Sequence, residues 1–304
     1  MDRNQLIGLI LMLVFITIYF QFFAPEPEQA NFPENTADSV AVQNDNSQAS
    51  TTSATTTILS DSARTKLNEM KYGMFSPASE GSEQVATFEN EQMIISFSSK
   101  GGTVQKLILK EFEDFRGNPL VLIDDEHAAQ HIYVEHLSRT IDLSDLYYTA
   151  SGTGRKLQAG DTAKLTYSVS LPEGQSITYT YSIPGEGYQI GMTVRQQGLE
   201  TLIGQEVKFA WNQRMNRLEK DFTDARNRST VKYRFTDGDV DELSATSSEK
   251  EEETLELATS WVSFRQKFFT SSIIADKAFT GGYVSSYINQ SDTTAVKNVE
   301  MSMN

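Results

Sequence analysis

The sequence contains no cysteine, and basic residues are scarce in it. The absence of cysteine excludes disulfides, a lipoprotein anchor on cysteine, thiolate metal sites and cysteine catalysis. Asp and Glu number 41 against 26 Lys and Arg, which gives the 304-residue chain a formal net charge of −15 at pH 7. A surface of that charge is a poor partner for nucleic acid or anionic lipid.

Long hydrophobic runs are also scarce, and the one that is present lies near the N-terminus. The run from Leu6 to Phe23 carries no charge, and as a helix it would span roughly 27 Å, close to the thickness of a bilayer's hydrocarbon core. A cleaved signal peptide and a buried core helix are the alternatives, but aromatic residues stand where a cleavage site needs small ones. We therefore predict an uncleaved membrane anchor made by Leu6, Ile7, Leu9, Ile10, Leu11, Leu13, Val14, Phe15, Ile16, Ile18, Phe20, Phe22 and Phe23.

The basic residues around this run predict its orientation. Arg3 precedes it, and the next basic residue after it is Arg64. Because positive charge stays on the cytoplasmic side, the N-terminus is expected in the cytoplasm and the rest of the chain on the far side of the membrane.

Residues 24–80 are predicted to be a flexible linker. From residue 24 to about residue 60 the chain is rich in Pro, Glu, Gln, Asn, Ser and Thr, and it has too few apolar residues to offset the entropy of ordering. A short helix from Ser62 to Met74 is expected on the domain surface or only partly formed, because Gly73 and Pro77 end it quickly.

Residues 81–304 are predicted to form one mainly β domain. Apolar and polar residues alternate in run after run, which is typical of antiparallel strands with one buried face. Pro and Gly between the runs supply turns, and the absence of βα alternation favours a large sandwich. The predicted strands are 93–97, 104–109, 119–123, 165–171, 177–183, 188–194, 207–211, 231–235, 283–288 and 299–303.

One segment near the C-terminal end predicts a helix instead. Aromatic residues at 261, 264, 268 and 269 have helical spacing, with Ser260 as an N-cap. On this interpretation Trp261 and Phe268 belong to the core, while Arg265 and Lys267 are exposed on the opposite side. A second interpretation is that part of the aromatic face meets a partner protein or the membrane surface.

Four segments stand out, in this order: the opening Met1–Ile10, the Lys100-Gly101-Gly102 turn, residues 118–122, and the stretch containing Trp261, Gln266, Phe268 and Phe269. In sequence and order they resemble the front half of the bacterial members of the YidC/Oxa/Alb family of membrane-protein insertases.

The resemblance implies a β-super-sandwich domain in the periplasm, with helical elements near its C-terminal end, anchored in the inner membrane. It also implies an insertase core of later transmembrane helices, and no apolar run after Phe23 could be one of them. Residues 299–304 alternate like a strand with no turn after them, so we expect the intact protein to continue and the C-terminal edge of the domain to be truncated. If residues 296–304 are an internal strand whose continuation is missing, the neighbouring strand is expected to have an unpaired edge. The implied partners are nascent membrane proteins and the Sec translocon's subunits.

Residues with a chemistry of their own are few. His127, His131 and His136 lie among acidic residues and could be metal ligands, but an exposed acidic loop explains the same sequence. Residues 237–242 begin like a calcium loop but lack its glycine at position six, so a solvated turn is expected. The charge run 249–253 is expected to be a mobile surface. We predict no catalytic residue, metal or cofactor.

Two classes of function remain open at this stage. The first is the tethered periplasmic part of an insertase, which binds or positions partners and catalyses nothing. The second is a membrane-anchored carbohydrate-binding or mutarotase-like domain, which only an analogy between folds supports. Mutarotase chemistry needs a histidine and a carboxylate that converge in a cleft, and three histidines within one short stretch make that hard to supply.

Overall fold

The computed structural model describes residues 61–204 and 206–304. The predicted membrane anchor and residues 24–60 of the predicted linker lie outside the described residues. Within the described ranges, no helix is both long enough and apolar enough to span a membrane. The described chain is mainly β, and its strands, numbered in chain order, form four antiparallel sheets.

A helix opens the described chain, as the sequence predicts. Helix α1 (Asp61–Tyr72) is followed by a 3₁₀ helix (Gly73–Ala78), and Gly73, with a φ of 56°, ends α1. Phe75 is 0% exposed and belongs to the hydrophobic core. Residues 61–80, which we assigned to the linker, therefore pack with the domain, because the burial of Phe75 holds them there.

Three of the four sheets have four strands each, and two of these three come from the first two thirds of the domain. The first has the order β1-β2-β3-β4, with strands Val85–Glu89, Met93–Ser98, Val104–Glu113 and Pro119–Asp124. The second has the order β10-β9-β8-β7, with β7 at Thr149–Ser151, β8 at Thr162–Ser170, β9 at Ser176–Pro184 and β10 at Gly191–Gln197.

The third sheet has six strands in the order β14-β17-β18-β11-β5-β6. These are β5 (Ala128–His136), β6 (Arg139–Asp142), β11 (Val207–Asn216), β14 (Glu251–Leu255), β17 (Gly282–Tyr287) and β18 (Ala295–Met303). The fourth sheet has the order β13-β12-β15-β16, with β12 at Thr230–Phe235, β13 at Val240–Glu242, β15 at Thr259–Arg265 and β16 at Thr270–Phe279. Helix α2 (Phe222–Asn227) precedes β12.

Two buried clusters share the inner face of the six-stranded sheet. Ile132 on β5 packs in a cluster with residues of the two four-stranded sheets that contain β1 and β10. Met301 on β18 packs in a second cluster with residues of the fourth sheet. Phe209 on β11 lies beside Ile132 in the strand register and contacts both clusters. The arrangement is thus sandwich-like, as the alternation of apolar residues predicts.

The alternating segments overlap strands in every case named in the sequence analysis. The segment 188–194 is confirmed only in part, because β10 begins at Gly191 and all of its residues are exposed. In β8 and β9 the burial alternates strictly along nine residues each. That alternation is the direct result of one face meeting the core and one meeting solvent.

The predicted helix at residues 261–269 is wrong. Residues 259–265 form β15, which pairs with β12 on one side and β16 on the other, and the remaining residues form a turn. Aromatic residues three and four apart fit a strand equally well when both of its faces are partly covered. Neither Trp261 nor Phe268 is in the core, contrary to prediction; Phe268 is 67% exposed, and the buried aromatic of the segment is Phe264.

The last predicted strand is confirmed, but the unpaired edge we expected beside it is absent from the described residues. β18 is an interior strand that pairs with β17 over residues 282–287 and with β11 over residues 209–216. Both neighbours are therefore covered along the length they share with β18.

Candidate partner-docking surface

Strand β15 presents alternate side chains to the two sides of its sheet. Val262 and Phe264 face the core and are 0% and 2% exposed. Trp261 and Arg265 lie on the opposite face, because successive residues of a strand point in opposite directions, and neither is buried. The outer face therefore carries an aromatic and a cationic side chain.

The turn between β15 and β16 is fixed by its two end residues. The backbone N–H of Gln266 donates to the carbonyl of Phe269 over 2.8 Å. The Gln266 side chain is buried and donates to the carbonyl of Asn216 over 3.5 Å. The ring of Phe269 meets the ring of Phe112 edge-on, with centroids 5.2 Å apart. The two residues between these anchors are held at the tip of the hairpin.

Those two tip residues are Lys267 and Phe268. The Nζ atom of Lys267 lies 2.7 Å from Oδ2 of Asp224 and 4.9 Å from the centre of the Phe268 ring. Phe268 itself is 67% exposed. A large aromatic ring held in solvent beside a cation is typical of the anchor residues of protein interfaces.

Two carboxylates organise the cations around the tip. Asp224, on α2, also contacts Nε of Arg228 at 2.8 Å. Its hydrogen bonds, first from Lys267 and then from Arg228, hold the pKa of Asp224 below its usual value. Glu242, on β13, lies 2.9 Å from Nζ of Lys232.

Arg265 is the second cation beside Glu242, at 3.6 Å from its Oε2 atom. Each of the two carboxylates thus contacts two cations, so in this part of the domain four paired cations outnumber their two carboxylate partners. We name it the basic surface, and it consists of Lys232, Arg265, Lys267 and Arg228 with Trp261 and Phe268. An open depression of about 320 Å³ lies within it, lined by Lys232, Trp261, Ser263, Arg265, Gln266, Lys267, Phe268, Phe269 and Thr270.

The structure brings together the site residues predicted near residue 265, and it adds others that the sequence did not reveal. Lys232 comes from β12 and Asp224 from α2, and neither segment carries a pattern that points to residue 265. Only the pairing of β12 with β15 places Lys232 opposite Ser263.

The Lys100-Gly101-Gly102 turn lies elsewhere and is largely buried. Gly101 and Gly102 have φ angles of 76° and 63°, which favour glycine. The N–H of Gly101 donates to the carbonyl of Leu146 over 2.8 Å, and Tyr181 donates its hydroxyl to the carbonyl of Gly102 over 2.7 Å. The turn is therefore a packing feature, and Lys100 is its one exposed member.

The three histidines do not converge on one point. His127 lies in a turn, where one ligand atom each of Asp124, Glu126 and His127 fall within 4.8 Å of one another. His131 lies on β5, where its Nδ1 contacts Asp142 at 2.7 Å, and this hydrogen bond raises the pKa of His131. His136 is buried, with Nδ1 2.7 Å from a backbone carbonyl.

One expectation about the histidines needs correction. Only His127 occupies an exposed acidic turn, because the side chains of His131 and His136 belong to the two faces of β5. Histidine and carboxylate side chains do pair here, since His131 contacts Asp142 and His127 contacts Asp124 at 2.5 Å. The two pairs involve different residues, so they do not form one combined cluster.

Comparison with protein families places the chain. The family model for the YidC periplasmic domain matches residues 85–303. The chain belongs to the YidC periplasmic domain family. The match includes every strand of the four sheets, and therefore the basic surface as well.

Relatives of this YidC periplasmic domain carry the name "Membrane protein insertase YidC". The relative from Amoebophilus asiaticus is 29% identical over 289 residues, which cover 93% of this chain and 46% of the relative. The relative from Cytophaga hutchinsonii is 29% identical over 272 residues, covering 89% of this chain and 42% of the relative. The chain thus spans about half the length of the relatives it matches.

Solved structures of other proteins are similar to a lower degree. A galactose mutarotase-like protein from Lactobacillus casei aligns with a TM-score of 0.43 and 12% identity, over 72% of this chain and 87% of that protein. A galactose mutarotase related enzyme from Lactobacillus acidophilus aligns with a TM-score of 0.45 and 11% identity, over 72% and 84%.

Proposed function

We propose that the intact protein is a membrane-protein insertase and that this chain serves as its tether and partner-binding domain. Membership of the YidC periplasmic domain family supports the proposal, as do the relatives named as insertases. The insertion activity itself is proposed to belong to a core of transmembrane helices, which the resemblance to the insertase family implies. The four sheets of the domain are proposed to form a β-super-sandwich.

The proposed location is the inner membrane, with the N-terminus in the cytoplasm and residues 81–304 in the periplasm. The uncharged run from Leu6 to Phe23 supports a single span, and Arg3 before it supports the orientation. The net charge of −15 argues against nucleic acid as a partner.

Within this function, we assign partner docking to the basic surface, with subunits of the Sec translocon as the partner. The observation that carries the assignment is Phe268, whose ring is 67% exposed at the tip of a turn fixed on both sides. A rigid aromatic anchor costs little entropy on binding. The surplus of cations around it favours an acidic partner surface.

The test is co-purification of translocon subunits with the intact protein. The Arg265→Gln/Lys267→Gln double variant removes two charges of the basic surface without adding any. Changing both residues to Glu would confound the result, because each new carboxylate would lie beside Glu242 or Asp224. We expect the neutral variant to recover several-fold less translocon at an equal amount of folded protein, since loss of charges at the rim of an interface weakens complementarity.

The matched control is Lys106→Gln/Lys164→Gln, which removes two exposed positive charges from β3 and β8, strands of the two other four-stranded sheets. This control should recover translocon like the unaltered protein. Equal recovery by all three proteins would reduce the basic surface to a structural element of the hairpin.

A further inference from the structure

Strand β10 is an open edge of its sheet. Residues Gly191–Gln197 pair with β9 on one side, and no other strand of the described residues pairs with them. All seven residues of β10 are exposed, although β9 beside it alternates between buried and half-buried positions. Alternate N–H and C=O groups of β10 therefore point away from the sheet, and none of the strands that the structure describes receives them.

Other edge strands of the described chain are protected against pairing. β6, β7 and β13 have four, three and three residues. β4 begins with Pro119, β14 has glutamate at 251–253, and β16 contains Asp276 and Lys277. The edge of β1 is covered, because Glu89 exchanges backbone hydrogen bonds with Arg155 and Leu157. Short length, proline, charge and coverage are the usual means of blocking an edge.

β10 has almost none of this protection. It has seven residues, no proline, and one charged residue, Arg195. Two apolar residues, Met192 and Val194, are opposite Tyr181 and Tyr179 in the register and so extend the core-facing side of the sheet. They are nevertheless 37% and 43% exposed. The core-facing side of the edge strand thus projects beyond the part of the sandwich that covers it.

The opposite side of the same edge is polar. Thr193 and Arg195 lie beside Thr180 and Thr178 of β9 in the strand register. A strand added to β10 would continue this pattern, with its apolar residues beside Met192 and Val194 and its polar residues beside Thr193 and Arg195. A carboxylate would be the complementary group for Arg195.

We propose that β10 binds an extended segment of a partner polypeptide, which joins the sheet as a fifth strand. The segment has alternating apolar and polar residues, with an acidic residue near Arg195. Backbone hydrogen bonds supply affinity in this mode and the alternate side chains supply specificity. A second copy of the chain is disfavoured as the occupant, because each copy carries a net charge of −15. The proposal is independent of the basic surface, which lies on another sheet.

The probe is a fluorescein-labelled peptide, Val-Thr-Val-Glu-Val-Thr-Val, titrated with the whole chain in detergent micelles and followed by fluorescence anisotropy. Two further peptides carry N-methyl groups, one at all even positions and one at all odd positions. Only alternate N–H groups of an added strand point at β10. We therefore expect one methylated peptide to lose binding and the other to keep it. Equal binding by all three peptides, or binding by none, would overturn the proposal.

Two matched variants of the protein place a lysine on an edge strand, one on β10 and one on β16, and a third variant keeps β10 uncharged at the same position. Val194→Lys should weaken peptide binding by about tenfold or more, because a charge on an edge strand opposes pairing. Val194→Thr keeps the strand-forming shape and should bind within about threefold of the unaltered chain. Ile274→Lys alters a residue of β16 that is 64% exposed, and should leave binding unchanged. Loss of binding in Ile274→Lys, or none in Val194→Lys, contradicts the proposal. So does a dimer that Val194→Lys dissociates, since β10 would then bind a second copy.

Discussion

Two turns of the domain differ in how many of their residues are packed against the rest of the fold. One is the turn at Gly101 and Gly102, and the other is the turn at the tip of the β15–β16 hairpin. A Cβ atom on Gly102 would lie 2.8 Å from the ring of Tyr179, and one on Gly101 would lie 2.8 Å from a backbone carbonyl oxygen. At the hairpin, packing uses Gln266 and Phe269 but leaves Phe268 in solvent. Both turns resemble family motifs, yet only the second contains a residue that packing does not explain.

The largest expected effect is on the free energy of unfolding, and it should differ sharply between two phenylalanines of the hairpin. Phe264→Ala should lower the free energy of unfolding by about 3–5 kcal/mol, because it empties a buried site. Phe268→Ala should change it by no more than about 0.5 kcal/mol, since that ring is largely in solvent. Thermal unfolding of both variants checks this. A large loss for Phe268→Ala would mean that its ring contributes to the core and is not free for a partner.

An effect of equal or smaller size is expected at the glycine turn. Gly102→Ala combines a positive φ with a close contact to the buried Tyr179 ring, and should cost roughly 2–5 kcal/mol. Gly174→Ala is the matched control, because its φ is 83° but nothing lies within 4 Å of the added Cβ. It should cost only about 1–2 kcal/mol from the backbone. Equal costs in urea unfolding would show that the Tyr179 contact is unimportant.

The smallest effect concerns the ion pairs of the basic surface and depends on pH. The hydrogen bond from Lys267 is the first cause of the lowered pKa of Asp224. A carboxyl group with a lowered pKa stabilises the fold above its unfolded pKa of about 4, and this stability is lost as the pH falls through the lowered value. Lys267→Gln should therefore have a lower melting temperature than the unaltered chain at pH 7, and the difference should shrink toward pH 3.

The control for this titration is Lys164→Gln, which removes an exposed lysine with no ion pair to any described residue. Its melting temperature should differ from that of the unaltered chain by an amount that does not change with pH. A pH-independent difference for Lys267→Gln as well would mean that the Asp224 contact contributes nothing to stability.

The sequence allowed most strands to be predicted because one of their faces is buried and the other is not. β5 was missed for a related reason, since Gln130, His131 and Glu135 give it the composition of a polar loop. The helix predicted around Phe264 was wrong because the spacing of aromatic residues contains no information about which strands pair with a segment. Pairing with β12 and β16 decided the outcome there.

The candidate site was only partly visible for the same physical reason. The sequence pointed to Arg265 and Lys267 as exposed cations on the side opposite Trp261, but both are half-buried, and Arg265 shares a face of β15 with Trp261. Their carboxylate partners, Glu242 and Asp224, come from separate elements, and only the folded chain brings them within ion-pair distance. Surface charge clusters assembled from distant segments leave no periodic signal in a single sequence.

The interior position of β18 has a consequence for how the domain is made. β18 joins β17 to β11, and about 80 residues of chain separate it from β11 in sequence, a closure that is slow on entropic grounds. During synthesis β11 and β17 leave the ribosome before β18 does. Until β18 follows, the edge of each strand that will pair with β18 has unpaired N–H and C=O groups. In that interval the nascent domain is most exposed to aggregation, and a chaperone that covers strand edges would help it most.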